Sequence, residues 1–306
     1  MSDAEGSGGG RAPHGLRGTG RTSLLLSVSD SRRIVILGKT GVGKSSLANT
    51  IFGEKRFTIG DTINSETARC RAETKTVCGR SITLIDSPGF FDTDRSEGEL
   101  KAEVLRCVTE YAPGPHAFLI VLKVERFTEQ EQAVITKMDS YFSEEFFKFA
   151  TVLFTHGDQL PPGKNIQQFI SNNRLVDSLV AKCGGRCHVI DNKYWNGPGP
   201  EDPYRSNAMQ VRGLLLTIDR VIQANGGRCY TNEVLQAVER KIQQQIEALK
   251  REQRNISDAE ARKQSKDRVF VGLCVGLAAV ATGVLLVAVF SVTGPSGVVV
   301  AAAVLA

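Results

Sequence analysis

Eight residues constrain this chain more than any others. Gly38-Lys39-Thr40-Gly41-Val42-Gly43-Lys44-Ser45 satisfies the pattern G-x-x-x-x-G-K-[ST] at every fixed position. The apolar run Arg32-Arg33-Ile34-Val35-Ile36-Leu37 reads as a buried strand entering the loop. Ser46-Leu47-Ala48-Asn49-Thr50-Ile51-Phe52 reads as a helix leaving it, which is the setting such a loop requires. Glycines let successive backbone N–H groups point into one concavity, and the helix dipole favours an anion there. Gly38, Thr40, Gly41, Val42, Gly43, Lys44, Ser45 and Ser46 are therefore expected to cradle a nucleotide's phosphates. Lys44 would reach the β and γ phosphates, and the Ser45 hydroxyl would hold Mg²⁺.

The rest of the chain offers further pieces of the same machinery. Arg56 to Ala72 is polar and threonine-rich without periodicity, as a nucleotide-sensing loop requires. In phosphate-loop GTPases a threonine there closes over Mg²⁺ and the γ-phosphate; Thr67 is the candidate and Thr62 the second choice. Glu73–Val77 and Ser81–Ile85, joined by Cys78-Gly79-Arg80, read as a hairpin. It ends in Asp86-Ser87-Pro88-Gly89, a D-x-x-G arrangement in which Asp86 holds a metal-bound water and the Gly89 N–H senses the γ-phosphate. Phe90 and Phe91 follow where a Ras-like protein carries a water-orienting glutamine, so hydrolysis by the isolated domain should be slow.

Glu97–Tyr111 reads as an amphipathic helix, Ala117–Leu122 as a buried strand and Glu129–Phe142 as another helix. The strand Phe149–Phe154 leads into Thr155-His156-Gly157-Asp158. A carboxylate at Asp158 accepts from both N1–H and the exocyclic amine of guanine, a donor pair that adenine lacks. Ile166–Lys182, a short strand Cys187–Ile190 and the helix Asn207–Ala224 complete the domain.

The block Ala112-Pro113-Gly114-Pro115-His116, the strand after it, and Arg126-Phe127-Thr128 with Glu129-Gln130-Glu131-Gln132 resemble the conserved box of the GTPases of immunity-associated proteins, the AIG-type family. The resemblance spans about Arg32 to Asn225, and the family's G domain is similar to those of septins and chloroplast outer-envelope import GTPases. It implies GTP and GDP with Mg²⁺ as ligands, a role in defence or lymphocyte survival, and self-association or pairing with related GTPases across the nucleotide face. It also implies that Arg126 crosses into a neighbour's site to offset charge on the γ-phosphate. Thr155-His156-Gly157-Asp158 matches the family's Thr-x-x-Asp base-reading element, with His156 packing against the base, and Asn192 matches an asparagine held against guanine. His116 reads as a structural residue at a strand start, and Trp195 as a shield for the base or a cap on the core.

Residues 1–30 are rich in Gly, Ser and Arg and read as a flexible arm, followed by an AIG-type G domain over 31–226. Residues 227–268 form a charged helical extension, whose near-heptad apolar spacing is broken at Gln245 and Glu252. From Val269 to Val292 no residue is charged, and as one helix this stretch would be about 36 Å long against a hydrocarbon core of about 30 Å. A transmembrane helix over 269–292 is therefore expected, with a short tail over 293–306. Arg262, Lys263, Lys266 and Arg268 before it would keep the globular part on the cytosolic face of an intracellular membrane, tail-anchored. The seven cysteines are spread without a C-x-x-C pair, which argues for reduced thiols rather than zinc. No basic stripe interleaved with aromatics points to nucleic acid.

The expected architecture is a three-layer α/β fold with a mostly parallel six-stranded sheet and one antiparallel edge strand. Its expected function is that of a membrane-anchored GTP switch that self-associates and hydrolyses slowly. Two alternatives stand beside it: a GTP-loaded membrane scaffold that never hydrolyses, and an ATP-binding protein with the same loop.

Overall fold

The computed structural model describes residues 31–59, 70–89, 96–125, 129–197, 202–291 and 295–305. Six strands, β1 (Arg32–Leu37), β2 (Arg71–Val77), β3 (Arg80–Asp86), β4 (Ala117–Lys123), β5 (Ala150–Thr155) and β6 (Cys187–Val189), form one sheet in the order β2-β3-β1-β4-β5-β6. Every neighbouring pair is parallel except β2 with β3. The central strands are apolar on both faces, as a parallel sheet covered on two sides demands. In β1, Ile34 and Ile36 face one layer, and Val35 and Leu37 face the other.

On the first face lie α1 (Lys44–Phe52) and α7 (Asn207–Ala224), which bury Leu47, Ile51, Val211, Leu214 and Ile218 against Ile34, Leu84, Leu119 and Leu153. The opposite face is covered by α2 (Glu97–Tyr111), α3 (Glu129–Tyr141), α4 (Glu144–Lys148), α5 (Ile166–Ile170) and α6 (Arg174–Lys182). The chain expected to form one helix over 166–182 is split because Asn173 starts a new one: its side chain accepts from the Leu175 and Val176 N–H groups, both at 3.1 Å.

The charged extension folds back on this second face instead of standing away as a stalk. Helix α8 (Glu233–Glu252) buries Val234, Leu235, Val238 and Ile242 in the same core as α2. Helix α9 (Asp258–Gly276) is pinned beside it: Arg262 reaches Glu239 at 2.8 Å and the Ala112 carbonyl at 3.0 Å, and Lys266 reaches Glu110 at 2.7 Å.

The transmembrane helix expected over 269–292 is not present. Helix α9 ends at Gly276, a turn follows, and α10 (Thr282–Phe290) and α11 (Pro295–Leu305) are separate short helices. Among the described residues no helix is long and apolar enough to cross a membrane. The reason is packing. Phe290, 1% exposed, enters an aromatic nest with Phe142, Phe146, Phe118 and Tyr111 at ring-centre distances of 5.1, 5.8, 6.3 and 6.4 Å. Asn232 then donates to the Ala288 and Val289 carbonyls at 2.9 and 2.7 Å, satisfying acceptors that a helix end leaves open.

Candidate functional site

Strand β1 sits where the connections turn from β3 on one side to β4 on the other, so the loop after it opens into the crevice at the carboxyl ends of the strands. Two glycines of that loop are required by geometry. A Cβ on Gly38 would lie 2.7 Å from the Val121 carbonyl, and Gly43 has φ of +86°, with a Cβ there 3.1 Å from Asn192 Nδ2. Lys44 folds over the loop, its Nζ donating to the Gly38 and Lys39 carbonyls at 3.0 Å each. Among the described residues no side chain caps the start of α1, and no acidic residue lies in its first turn.

Ser45 donates from Oγ to Asp86 Oδ2 at 2.5 Å, joining the loop to the tip of β3. Asp86 is 1% exposed, and its Oδ1 has no hydrogen-bond partner among the described residues. Burial pushes this carboxyl above its ordinary range, while Lys44 and the Ser45 hydroxyl pull it back. A buried carboxylate with one open oxygen beside a serine hydroxyl fits Mg²⁺, which keeps most of its shell for water and phosphate oxygens. The described residues contain no cluster of three or more His, Cys, Asp or Glu side chains able to hold a metal alone.

At the end of β5, Thr155 is fully buried and donates to the Val42 carbonyl at 2.7 Å. A hydroxyl has one proton, so with that proton on Val42 its oxygen accepts from His156 Nδ1, 3.1 Å away. His156 sits in the left-handed region at φ 59° and is exposed. Thr155 thus holds the phosphate loop to the sheet. Asn192, three residues beyond β6, does the same: its Oδ1 accepts from Thr50 at 2.9 Å, and its Nδ2 lies 3.4 Å from the Gly43 carbonyl.

Asp158 is partly exposed, with Gln159 Nε2 2.5 Å from its Oδ2. Its carboxyl is raised by burial and by its link to Asp191. Asp191 goes the other way: despite burial it is lowered, by Asp158 and by the backbone N–H groups of Tyr194, Lys193 and Asp158. Asp191 was not singled out from the sequence. Asp191-Asn192-Lys193 carries a turn signal that points to it, since Asp side chains cap the amides two residues on. Trp195 packs under Gly157, where a Cβ would lie 2.5 Å from the indole, so it braces the turn that presents Asp158. His116 Nδ1 accepts from the Arg33 N–H at 3.0 Å at the start of β4, a structural position.

A cleft of about 500 Å³ lies beside Lys123, Glu125, His156, Gln159 and Phe169, at the turn that carries Asp158. Thr62, Thr67, Phe90, Phe91 and Arg126 lie outside the described residues.

This fold and site define a phosphate-loop α/β domain of the G-domain type. Within that class the chain belongs to the AIG1 family, whose profile matches residues 32–251. It is 28% identical over 251 residues to immune-associated nucleotide-binding protein 4 of Arabidopsis thaliana, covering 80% of this chain and 74% of that protein. It is 26% identical over 238 residues to human GTPase IMAP family member 8, covering 76% of this chain but 34% of that longer protein. Among solved structures it resembles Toc33 from Arabidopsis thaliana in complex with GDP and Mg²⁺, at 21% identity, a TM-score of 0.46, and coverage of 62% of this chain and 84% of that one.

Proposed function

We propose that this chain is a guanine-nucleotide switch that binds GTP and GDP with Mg²⁺ and hydrolyses GTP slowly. The observation that carries the reading is the Ser45–Asp86 pair, a buried carboxylate with one open oxygen set against the phosphate loop. Lys44 and the loop amides take the β and γ phosphates once Nζ leaves the Gly38 and Lys39 carbonyls. Ser45 would give one oxygen to Mg²⁺, and Asp86 would hold a water bound to the ion. When bound, the ion would offset negative charge on the phosphates. Asp158 accepts from the guanine edge in its ionised form, against the direction in which burial and Asp191 push its carboxyl.

Slow turnover follows from Phe90 at the position where a glutamine would align water. Self-association through the nucleotide face, with Arg126 acting across the interface, supplies the missing charge in this reading. The test is phosphate release measured against protein concentration. A rate per molecule that rises with concentration and collapses in Arg126→Ala supports dimer-stimulated hydrolysis. Tight GTP binding with no release at any concentration supports a scaffold. Binding of ATP as strong as that of GTP, unchanged in Asp158→Ala, would overturn the guanine assignment.

A further inference from the structure

The two edges of the sheet differ. Strand β6 is 3 residues long, too short to recruit another strand, whereas β2 offers 7 residues with no strand on its outer side among the described residues. Which of its backbone groups point outward follows from the hairpin. Cys78 and Gly79 both have positive φ, 48° and 75°, as a two-residue hairpin turn of the favoured twist requires. Such a turn is closed by a hydrogen-bonded pair, here Val77 and Arg80, and bonded and non-bonded pairs alternate from there along the ladder. Arg71, Glu73, Lys75 and Val77 therefore direct their N–H and C=O groups at β3, and Ala72, Thr74 and Thr76 direct theirs away from the sheet. The Thr74 and Thr83 hydroxyls meet at 2.7 Å, as expected of the closer side chains in a non-hydrogen-bonded pair.

The side chains of this edge select the partner. Charge commonly blunts an edge strand, and Glu73 and Lys75 are charged, but their order is self-complementary. When a second copy of β2 runs antiparallel with Thr74 opposite the partner's Thr74, Glu73 faces the partner's Lys75, and two-fold symmetry repeats the contact on the other side. The same register sets Ala72 opposite the partner's Thr76, so the outward groups of both strands meet in phase and exchange their backbone hydrogen bonds. The neighbouring in-phase registers bring Glu73 against the partner's Glu73 or Lys75 against the partner's Lys75, which is destabilising. Glu73 is partly buried and makes no hydrogen bond or ion pair among the described residues. Lys75 is fixed beside the edge by Glu54 at 3.1 Å and by the Phe52 carbonyl at 2.8 Å, and an ammonium group has a third donor to give.

We infer that β2 is a docking edge for a second copy of this chain, the two strands pairing antiparallel about Thr74 so that one sheet runs through both protomers. Each protomer gives and receives the Glu73–Lys75 contact. The edge is separate from the nucleotide face, since β3 lies between β2 and the strand that carries the phosphate loop. The inference is therefore independent of the nucleotide assignment.

The test is sedimentation velocity on the full chain without nucleotide, over a concentration series. The native chain should pass from monomer to dimer within the micromolar range. Glu73→Lys and Lys75→Glu each set like charges opposite one another, and each should weaken its own dimer at least about tenfold. Mixing the two variants sets opposite charges against each other at both contacts and should restore association to near the native level, which a folding defect in either variant could not do. Thr76→Pro removes only an N–H that points away from β3, a placement an edge strand tolerates, so the thermal midpoint of the monomer should stay near native while the dimer is lost. The inference is overturned if the native chain stays monomeric throughout the micromolar range, if mixing the two charge variants restores nothing, or if Thr76→Pro dimerises as the native chain does.

Discussion

Thr155→Val separates a residue that holds the phosphate loop from one that touches the base. The replacement keeps shape and removes only the hydroxyl, at a fully buried position. What is lost is the 2.7 Å bond to the buried Val42 carbonyl, together with a 3.3 Å approach to the Leu122 carbonyl. His156 also loses an acceptor, but it is exposed and water substitutes. A buried acceptor left open costs about 1–3 kcal/mol. Chemical denaturation of the nucleotide-free protein should therefore show a loss in that range, with Thr155→Ser close to native. Because Val42 belongs to the phosphate loop, affinity for GDP should fall by up to the same free energy, about 5- to 150-fold. The preference for guanine over adenine should not change. Native stability in Thr155→Val, combined with an altered guanine preference, would refute the loop-holding role.

Three further outcomes follow from the geometry. Asp86 is an acid raised by burial, so the folded chain holds its proton more tightly and stability falls as pH rises from the ordinary value of 3.8 through the raised one. Asp86→Asn should accordingly stabilise the nucleotide-free protein at neutral pH in calorimetry, and should weaken Mg²⁺-dependent nucleotide binding about 10- to 100-fold. Phe290→Ala empties the centre of the aromatic nest and should cost about 3–5 kcal/mol in denaturant unfolding, a loss a solvated tail would not show. His188, lowered to about 4 by burial, is a base whose stabilisation is complete above its ordinary 6.5 and is lost as pH falls toward 4. Between pH 7.5 and pH 5 the native chain should lose about 2 kcal/mol that His188→Gln does not lose, measured by unfolding at each pH.

Where local pattern and fold agree, the sequence was readable. The apolar run Ile34–Leu37, the glycines of the loop and the polar start of α1 each favour their observed state, and α2 and α7 keep the bounds that their periodicity predicts. Asp86 was legible because a buried strand ends on it. The actual partners of Thr155 and Asn192 were not, since their ties to Val42 and Thr50 cross 113 and 142 residues of sequence. The apolar C-terminus was misread as one spanning helix for the opposite reason. Its composition is right for a bilayer, and nothing local in Leu277–Ala281 announces a bend that only Lys101, Asn232 and the Phe290 nest enforce.

Titration of the purified chain with GDP and with ATP in the presence of Mg²⁺, repeated for Lys44→Ala, tests the central claim most directly. Binding of GDP at least about a hundredfold tighter than ATP, lost in Lys44→Ala, is the predicted result. Equal affinity for the two nucleotides, or GDP binding undisturbed when Lys44 is removed, would contradict it.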